Sequence, residues 1–327
     1  MARIFLHIGY PKTGTTSLQQ FFAQNAETLR SNGILYPWAG RNSIAHYGLS
    51  TALVDGQQLA CESIKTQLAK EIEESGCESV LISSEGFIAA KSFDPIVSFF
   101  AGHDVDFVIY LRRHDHALES AYSQSVCLTA NPPWNPGIDS FVLYQMGIST
   151  VPWDYWRTLS KLAAIVGKNH VIVRPFEREQ NLPDLYADFL KVVGLEDSDA
   201  FARPNKERNP SLPYRTLATI DSIMRSAVGP EMKQQYAEVL ARIHSGTKGE
   251  MPFLSPRMRI AVLARYRMSY AMIAREFMRR DDGVLFKEPA PMPNQPWSPP
   301  TTVSVQEAVD LVLRAAPAIA EKEQPMS

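Results

Sequence analysis

IFLHIGYPKTGTTSLQQFF, Ile4 to Phe22, runs an apolar stretch into a glycine-bounded loop and then directly into a helix-forming run. Four residues separate Gly9 from Gly14, the spacing of a P-loop. Gly14-Thr15-Thr16 would turn successive backbone N–H groups toward an anion at a helix N-terminus. The lysine departs from the nucleotide-triphosphatase pattern, which places Lys directly after the second glycine and a magnesium-binding Ser or Thr next. Thr15 follows Gly14 here, and the lysine of the loop is Lys12.

Two further stretches read as strands that end on chemistry-bearing residues. In DVDFVIYLRRHDHALESAYSQSV, Asp104 to Val126, the apolar run Phe107 to Leu111 predicts a buried parallel strand that stops at Arg112-Arg113. A helix is expected next, with Asp115 as N-cap. Arg112 is the expected anion contact, and Arg113 is expected at the surface or toward an acceptor, since strand alternation points only one of the pair into a crevice. His114-Asp115-His116 has no matched distant ligand set and reads as a polar first turn, so no metal site is expected. In SVLISSEGF, Ser79 to Phe87, a short strand leads to Glu85. Carboxyl ends of parallel strands line the ligand crevice in open α/β sheets, which puts Glu85 near the loop of Lys12. Glu85 is a candidate general base, with pairing to Lys12 or capping of the next helix as the alternative. His7 is the competing base, although alternation puts it on the Phe5 side of its strand, under a helix.

Composition narrows the field. A net charge of −2 lacks the basic footprint of a general nucleic-acid binder. Cys61, Cys77 and Cys127 have neither paired nor metal-type spacing and read as reduced thiols. No secretory signal and no membrane-spanning run is evident, so a cytoplasmic protein is expected. The proline- and tryptophan-rich stretch Leu128 to Trp156, with Trp134, Trp153 and Trp156, forms either an acceptor lid or a cap packed on the core. Glu288 to Thr302 is proline-rich and predicts an extended linker before a short helix near Val305 to Ala315. Arginines between Arg257 and Arg280 either meet an anionic acceptor or form a solvated helix face.

GYPKTGTTSLQ, Gly9 to Gln19, resembles the 5′-phosphosulfate loop of sulfotransferases that use 3′-phosphoadenosine 5′-phosphosulfate (PAPS). The resemblance implies that Lys12 approaches the bridging oxygen between phosphate and sulfate. It also implies that Thr13, Gly14, Thr15 and Thr16 cradle the 5′-phosphate. Family members place an arginine at a strand end and a serine eight residues on, both on the 3′-phosphate, a spacing that Arg112 and Ser120 match. The cytosolic small-molecule branch has an aromatic residue after the two threonines and a Lys-Thr-His base segment. This chain has Ser17 at that place, free to hydrogen-bond nucleotide, and lacks the segment, so it resembles the carbohydrate-type and bacterial branches, several of which use a glutamate as base.

Weaker likenesses extend along the chain. His170 to Leu195 resembles the family's later strand, turn and helix, with Phe176 at an aromatic position read as core or adenine contact. Arg203 to Ile220 and Tyr266 to Phe286 resemble segments of bacterial relatives, with Arg208 and Asn209 as nucleotide or acceptor contacts or part of a solvated loop.

The expected fold is therefore α/β: a P-loop-type parallel sheet flanked by helices, with a largely helical C-terminal portion. Residues 1–287 would form the sulfotransferase domain, and 288–327 the linker and terminal helix. The expected reaction is transfer of the sulfuryl group from PAPS to a hydroxyl acceptor, a carbohydrate or small metabolite, without a metal. A P-loop small-molecule kinase and a non-catalytic nucleotide-binding protein are the alternatives.

Overall fold

Side-chain alternation along five parallel strands divides the core into two layers. The computed structural model describes residues 1–148, 153–204, 212–243, 252–299, 304, 306–307 and 309–313. Its elements run β1 (Arg3–His7), α1 (Thr15–Gln24), α2 (Ala26–Ser31), β2 (Ile34–Leu35), α3 (Tyr47–Val54), α4 (Gln58–Ser75), β3 (Ser79–Ser83), α5 (Asp94–Phe99) and β4 (Asp104–Leu111). They continue with α6 (His114–Leu128), α7 (Ile138–Gly147), α8 (Tyr155–Val166), β5 (Val171–Pro175), α9 (Leu185–Val192), α10 (Tyr214–Arg225), α11 (Pro230–Ile243) and α12 (Pro256–Met278). The sheet order is β2-β3-β1-β4-β5, every pair parallel. Ile4, Leu6, Val80, Ile82, Phe107 and Ile109 enter one buried cluster, and Phe5, Leu81, Val108 and Tyr110 enter another. Residues two apart share a face of the sheet, so the apolar runs of β1, β3 and β4 serve both layers. Leu18, Phe21 and Phe22 of α1 cover the Phe5 side.

The register positions the strand ends. His7 pairs with Ser83 of β3 and with Val108 of β4, so the loop after β1, the turn after β3 and the tip of β4 leave the same edge of the sheet. From β1 the chain moves outward to β2, whereas from β4 it moves the other way to β5. The gap between β1 and β4 is thus a topological switch point, where open α/β sheets leave a crevice beyond the strand ends.

The chain divides into two compact units. The first comprises Met1–Arg113, Thr150–Asn205 and Tyr266–Pro289, and holds the sheet. The second comprises His114–Ser149, Lys206–Arg265 and Ala290–Ser327, and is helical among its described residues. Within it, α6 begins at His114, two residues earlier than an N-cap at Asp115 would place it. Asp115 is therefore not the N-cap but a buried first-turn residue, bonded to Arg259 at 2.9 and 2.8 Å. That pair accounts for one arginine of the 257–280 group, as a buried partner and not a solvated one. Trp134 packs on Phe141 with ring centroids 5.0 Å apart, and its indole is buried. In the first unit, Trp156 meets Phe277 edge-on. Both tryptophans thus sit against neighbouring rings. Among the described residues no helix is long and apolar enough to cross a membrane.

Arg113 differs from the expectation of a surface residue. It is buried at 4% exposure because its guanidinium holds the returning chain: it donates to the Glu288 carbonyl at 2.7 Å, the Pro289 carbonyl at 3.1 Å and the Glu288 carboxylate at 2.7 Å. The Glu177 carboxylate accepts the N–H groups of Lys287 and Glu288 at 2.8 and 2.7 Å. The start of the expected linker is thus anchored by charge-assisted hydrogen bonds.

Candidate functional site

The loop between β1 and α1 carries two left-handed residues around Thr13. Lys12 has φ 70° and Gly14 φ 76°. For lysine this region is strained, at a cost on the order of 1–3 kcal/mol, a kind of strain that clusters at ligand clamps. Alternating backbone hand on successive residues points N–H groups into one concavity, which suits an anion. Gly14 caps α1 without a side-chain hydrogen bond, so the first N–H groups of the helix add to that concavity.

Both glycines are required by their surroundings. A Cβ on Gly9 would lie 1.9 Å from the Thr15 methyl. One on Gly14 would meet Leu185 at 2.6 Å and Phe176 at 2.9 Å. Phe176, expected as core or adenine contact, therefore lies against the loop itself, and the Arg112 guanidinium sits 5.7 Å from its ring centroid.

The tip of β4 reaches the same loop. Arg112 donates to the Lys12 carbonyl at 3.0 Å, and its own carbonyl accepts from the Tyr155 hydroxyl at 2.9 Å. Tyr155 in turn packs edge-on against Tyr10 of the loop, 4.6 Å between centroids. Thr13 is fully buried and donates to the Tyr10 carbonyl at 2.7 Å, so its hydroxyl shapes the loop from within. Thr16 is exposed. Ser17 is half-buried and hydrogen-bonds the Tyr186 phenol. Ser120 stands on the second turn of α6, half-buried, in the second unit.

Glu85 opens the short 3₁₀ turn after β3, where the Ser84 hydroxyl caps the Gly86 N–H at 3.1 Å. Its carboxylate accepts from the Thr15 hydroxyl at 2.6 Å on Oε2 and from the Tyr47 phenol at 3.2 Å on Oε1. The structure thus brings Lys12, Thr13, Gly14, Thr15, Thr16, Ser17, Arg112 and Glu85 to one edge of the first unit. The capping expected as an alternative for Glu85 falls to Ser84 instead. Each carboxylate oxygen has a second lone pair, so both hydroxyl contacts can coexist with acceptance of a proton. Burial, then the Glu85 charge, pushes the Tyr47 phenol up to about 12, which keeps it a donor. Tyr47, Tyr155 and Phe176's loop contact were not legible in the sequence, because each reaches the site from an element distant along the chain.

His7 is wholly buried, between Phe22, Tyr110 and Phe189, with centroids 6.3, 6.1 and 5.5 Å away. Nδ1 meets the Ser83 hydroxyl at 2.8 Å, while Nε2 has no hydrogen-bond partner. His46, equally buried, accepts the Ser83 N–H on Nδ1 at 3.1 Å and donates from Nε2 to the Pro37 carbonyl at 3.1 Å. Burial lowers both histidines to about 3. The folded state then holds fewer protons than the unfolded chain between about pH 3 and the unperturbed 6.5. Stability is full above that window and falls as pH drops through it, by up to about 1.4 kcal/mol per pH unit for each histidine. Urea midpoints should therefore decline between pH 7 and pH 5, before carboxylates titrate, and the decline should be shallower in His7→Gln. A midpoint constant over that range would contradict the buried, neutral assignment.

Arg208 and Asn209 lie outside the described residues. Among the described residues no group of three or more His, Cys, Asp or Glu is gathered as for a metal ion. Cys61 and Cys77 are in no disulfide. No family model and no curated protein matches this chain.

Proposed function

We propose that the protein is a sulfotransferase that moves the sulfuryl group of PAPS to a hydroxyl acceptor. The observation that carries the reading is the Arg112 guanidinium on the Lys12 carbonyl. It joins a second cationic side chain to a loop already shaped for an anion, at the switch point of the sheet. Lys12, displaced from the triphosphatase position, suits a donor whose charge develops on one departing phosphate oxygen. Thr15, at the position a triphosphatase gives to lysine, holds Glu85 instead.

In the proposed reaction the loop amides bind the 5′-phosphate, and Lys12 neutralises the bridging oxygen as the S–O bond breaks. The acceptor oxygen attacks sulfur in line with that bond, and Glu85 takes its proton. Thr15 and Tyr47 orient the carboxylate. The 3′-phosphate falls to Arg112, with Ser120 as the second contact proposed from the resemblance. The same resemblance extends the proposal to the bacterial and carbohydrate-type branches and to a cytoplasmic location.

The direct test incubates the protein with PAPS and a panel of simple sugars, phenols and alcohols, and follows release of 3′-phosphoadenosine 5′-phosphate by chromatography. Acceptor-dependent release without added metal is expected. Phosphoryl transfer from magnesium ATP to the same acceptors, with PAPS left intact, would replace the reading with that of a kinase.

A further inference from the structure

Residues 285–289 run past the tip of β4 as a strap within the first unit, and the proposed reaction makes no use of them. Leu285 is buried in the same cluster as Ile109 and Leu111 of β4 and Tyr155 of α8, and Phe286 packs edge-on against Tyr270 of α12 at 5.0 Å. Beyond those two apolar anchors the segment is exposed, and polar bonds hold it. The Glu177 carboxylate, just past β5, takes the Lys287 and Glu288 N–H groups, while Gln180 donates to the Leu285 carbonyl at 3.0 Å. Arg113 closes the strap through both Glu288 and Pro289. A guanidinium this deeply buried needs a charged partner, which the Glu288 carboxylate supplies. Its planar fork also fixes direction, which an apolar contact would not. The peptide between Arg112 and Arg113 is thereby held from two sides. Its carbonyl accepts from Tyr155, and the residue that follows it is locked to the strap. Arg112, one residue back, sends its guanidinium to the Lys12 carbonyl. So long a side chain meets an anion reproducibly only when its supporting shell is fixed.

We infer that Arg113, Glu288 and Glu177 are positioning residues for the anion site: the strap they hold aims Arg112 at the 3′-phosphate and so sets the preference for a 3′-phosphorylated adenosine nucleotide. Because Arg112 meets that phosphate only under the sulfuryl-transfer reading, the role of the strap rests on that reading.

The test titrates the full chain and its variants calorimetrically with 3′-phosphoadenosine 5′-phosphate and with 5′-AMP. Glu288→Ala and Glu177→Ala loosen the strap at different bonds, the first at an exposed position where folding is least at risk. Each should weaken the 3′-phosphorylated nucleotide by about 10-fold and leave 5′-AMP within about twofold, the lower end of what losing an orienting outer partner costs at a metal site. Glu288→Gln, which can still accept from Arg113, should keep most of the preference. Melting temperature reports the fold separately. A strap that only stabilised the protein would lower it and leave the affinity ratio of the folded variants unchanged. That unchanged ratio in folded Glu288→Ala and Glu177→Ala, or an equal loss for both nucleotides, would overturn the role of the strap and leave the sulfuryl-transfer reading standing. Equal affinities in the unmutated protein would overturn both.

Discussion

Lys12→Ala is expected to lower sulfuryl transfer from PAPS by about 10²- to 10³-fold while leaving the melting temperature close to that of the unmutated protein. The size follows from losing one preorganised donor at a developing oxyanion, in a site where donors act on charge that appears only in the transition state. The backbone complicates this experiment in a useful way. Lys12 sits at φ 70°, and alanine has the same Cβ, so Lys12→Ala removes charge without relieving the strain. Lys12→Gly removes both. If the side chain carries the chemistry, the two variants should be about equally inactive, with the glycine variant no less stable. Near-normal turnover of either would take Lys12 out of the mechanism and leave the loop as an anion cradle only.

Glu85→Gln is expected to slow transfer by about 10²- to 10⁴-fold, the usual yield of a positioned base. Glutamine matches glutamate in shape, but Oε1 and Oε2 of Glu85 both accept hydroxyl bonds, from Tyr47 and Thr15. The amide can accept only one of these and presents N–H to the other, so the hydroxyl there must turn. Tyr47→Phe separates the two consequences. It removes one contact and leaves the carboxylate, so it should reduce turnover far less than Glu85→Gln and leave nucleotide affinity unchanged. Weak nucleotide binding in Glu85→Gln, with chemistry intact at saturation, would show that Glu85 holds the loop through Thr15 and takes no proton. His7 is an unfavourable substitute, being enclosed by three rings with its burial holding it neutral.

Much of the sheet could be read in advance because its strands obey one simple rule. Ile4, Val80 and Phe107 lie in apolar runs covered on both faces, Val171 opens an edge strand whose alternate residues are half-buried, and all four runs are strands. The two-residue strand Ile34–Leu35 carries too little sequence for any period to register. The loop and its glycines were legible for a physical reason. Left-handed backbone and close approach leave few alternatives to glycine, as the 1.9 Å approach of a Cβ on Gly9 to the Thr15 methyl illustrates. Arg113 and Asp115 were misplaced because their partners, Glu288 and Arg259, lie 175 and 144 residues away. An ion pair closed by tertiary packing leaves no local pattern. Tyr47 escaped for the same reason, 38 residues from the carboxylate it touches.

The anion site itself is tested most directly by calorimetric titration of the full chain with 3′-phosphoadenosine 5′-phosphate, with 5′-AMP, and with ATP in the presence and absence of magnesium. The 3′-phosphorylated nucleotide should bind without metal and more tightly than 5′-AMP, and Arg112→Ala should largely erase this preference by removing a charge-assisted contact. Equal affinity for the two adenosine nucleotides, or tight binding of ATP only when magnesium is present, would contradict the assignment.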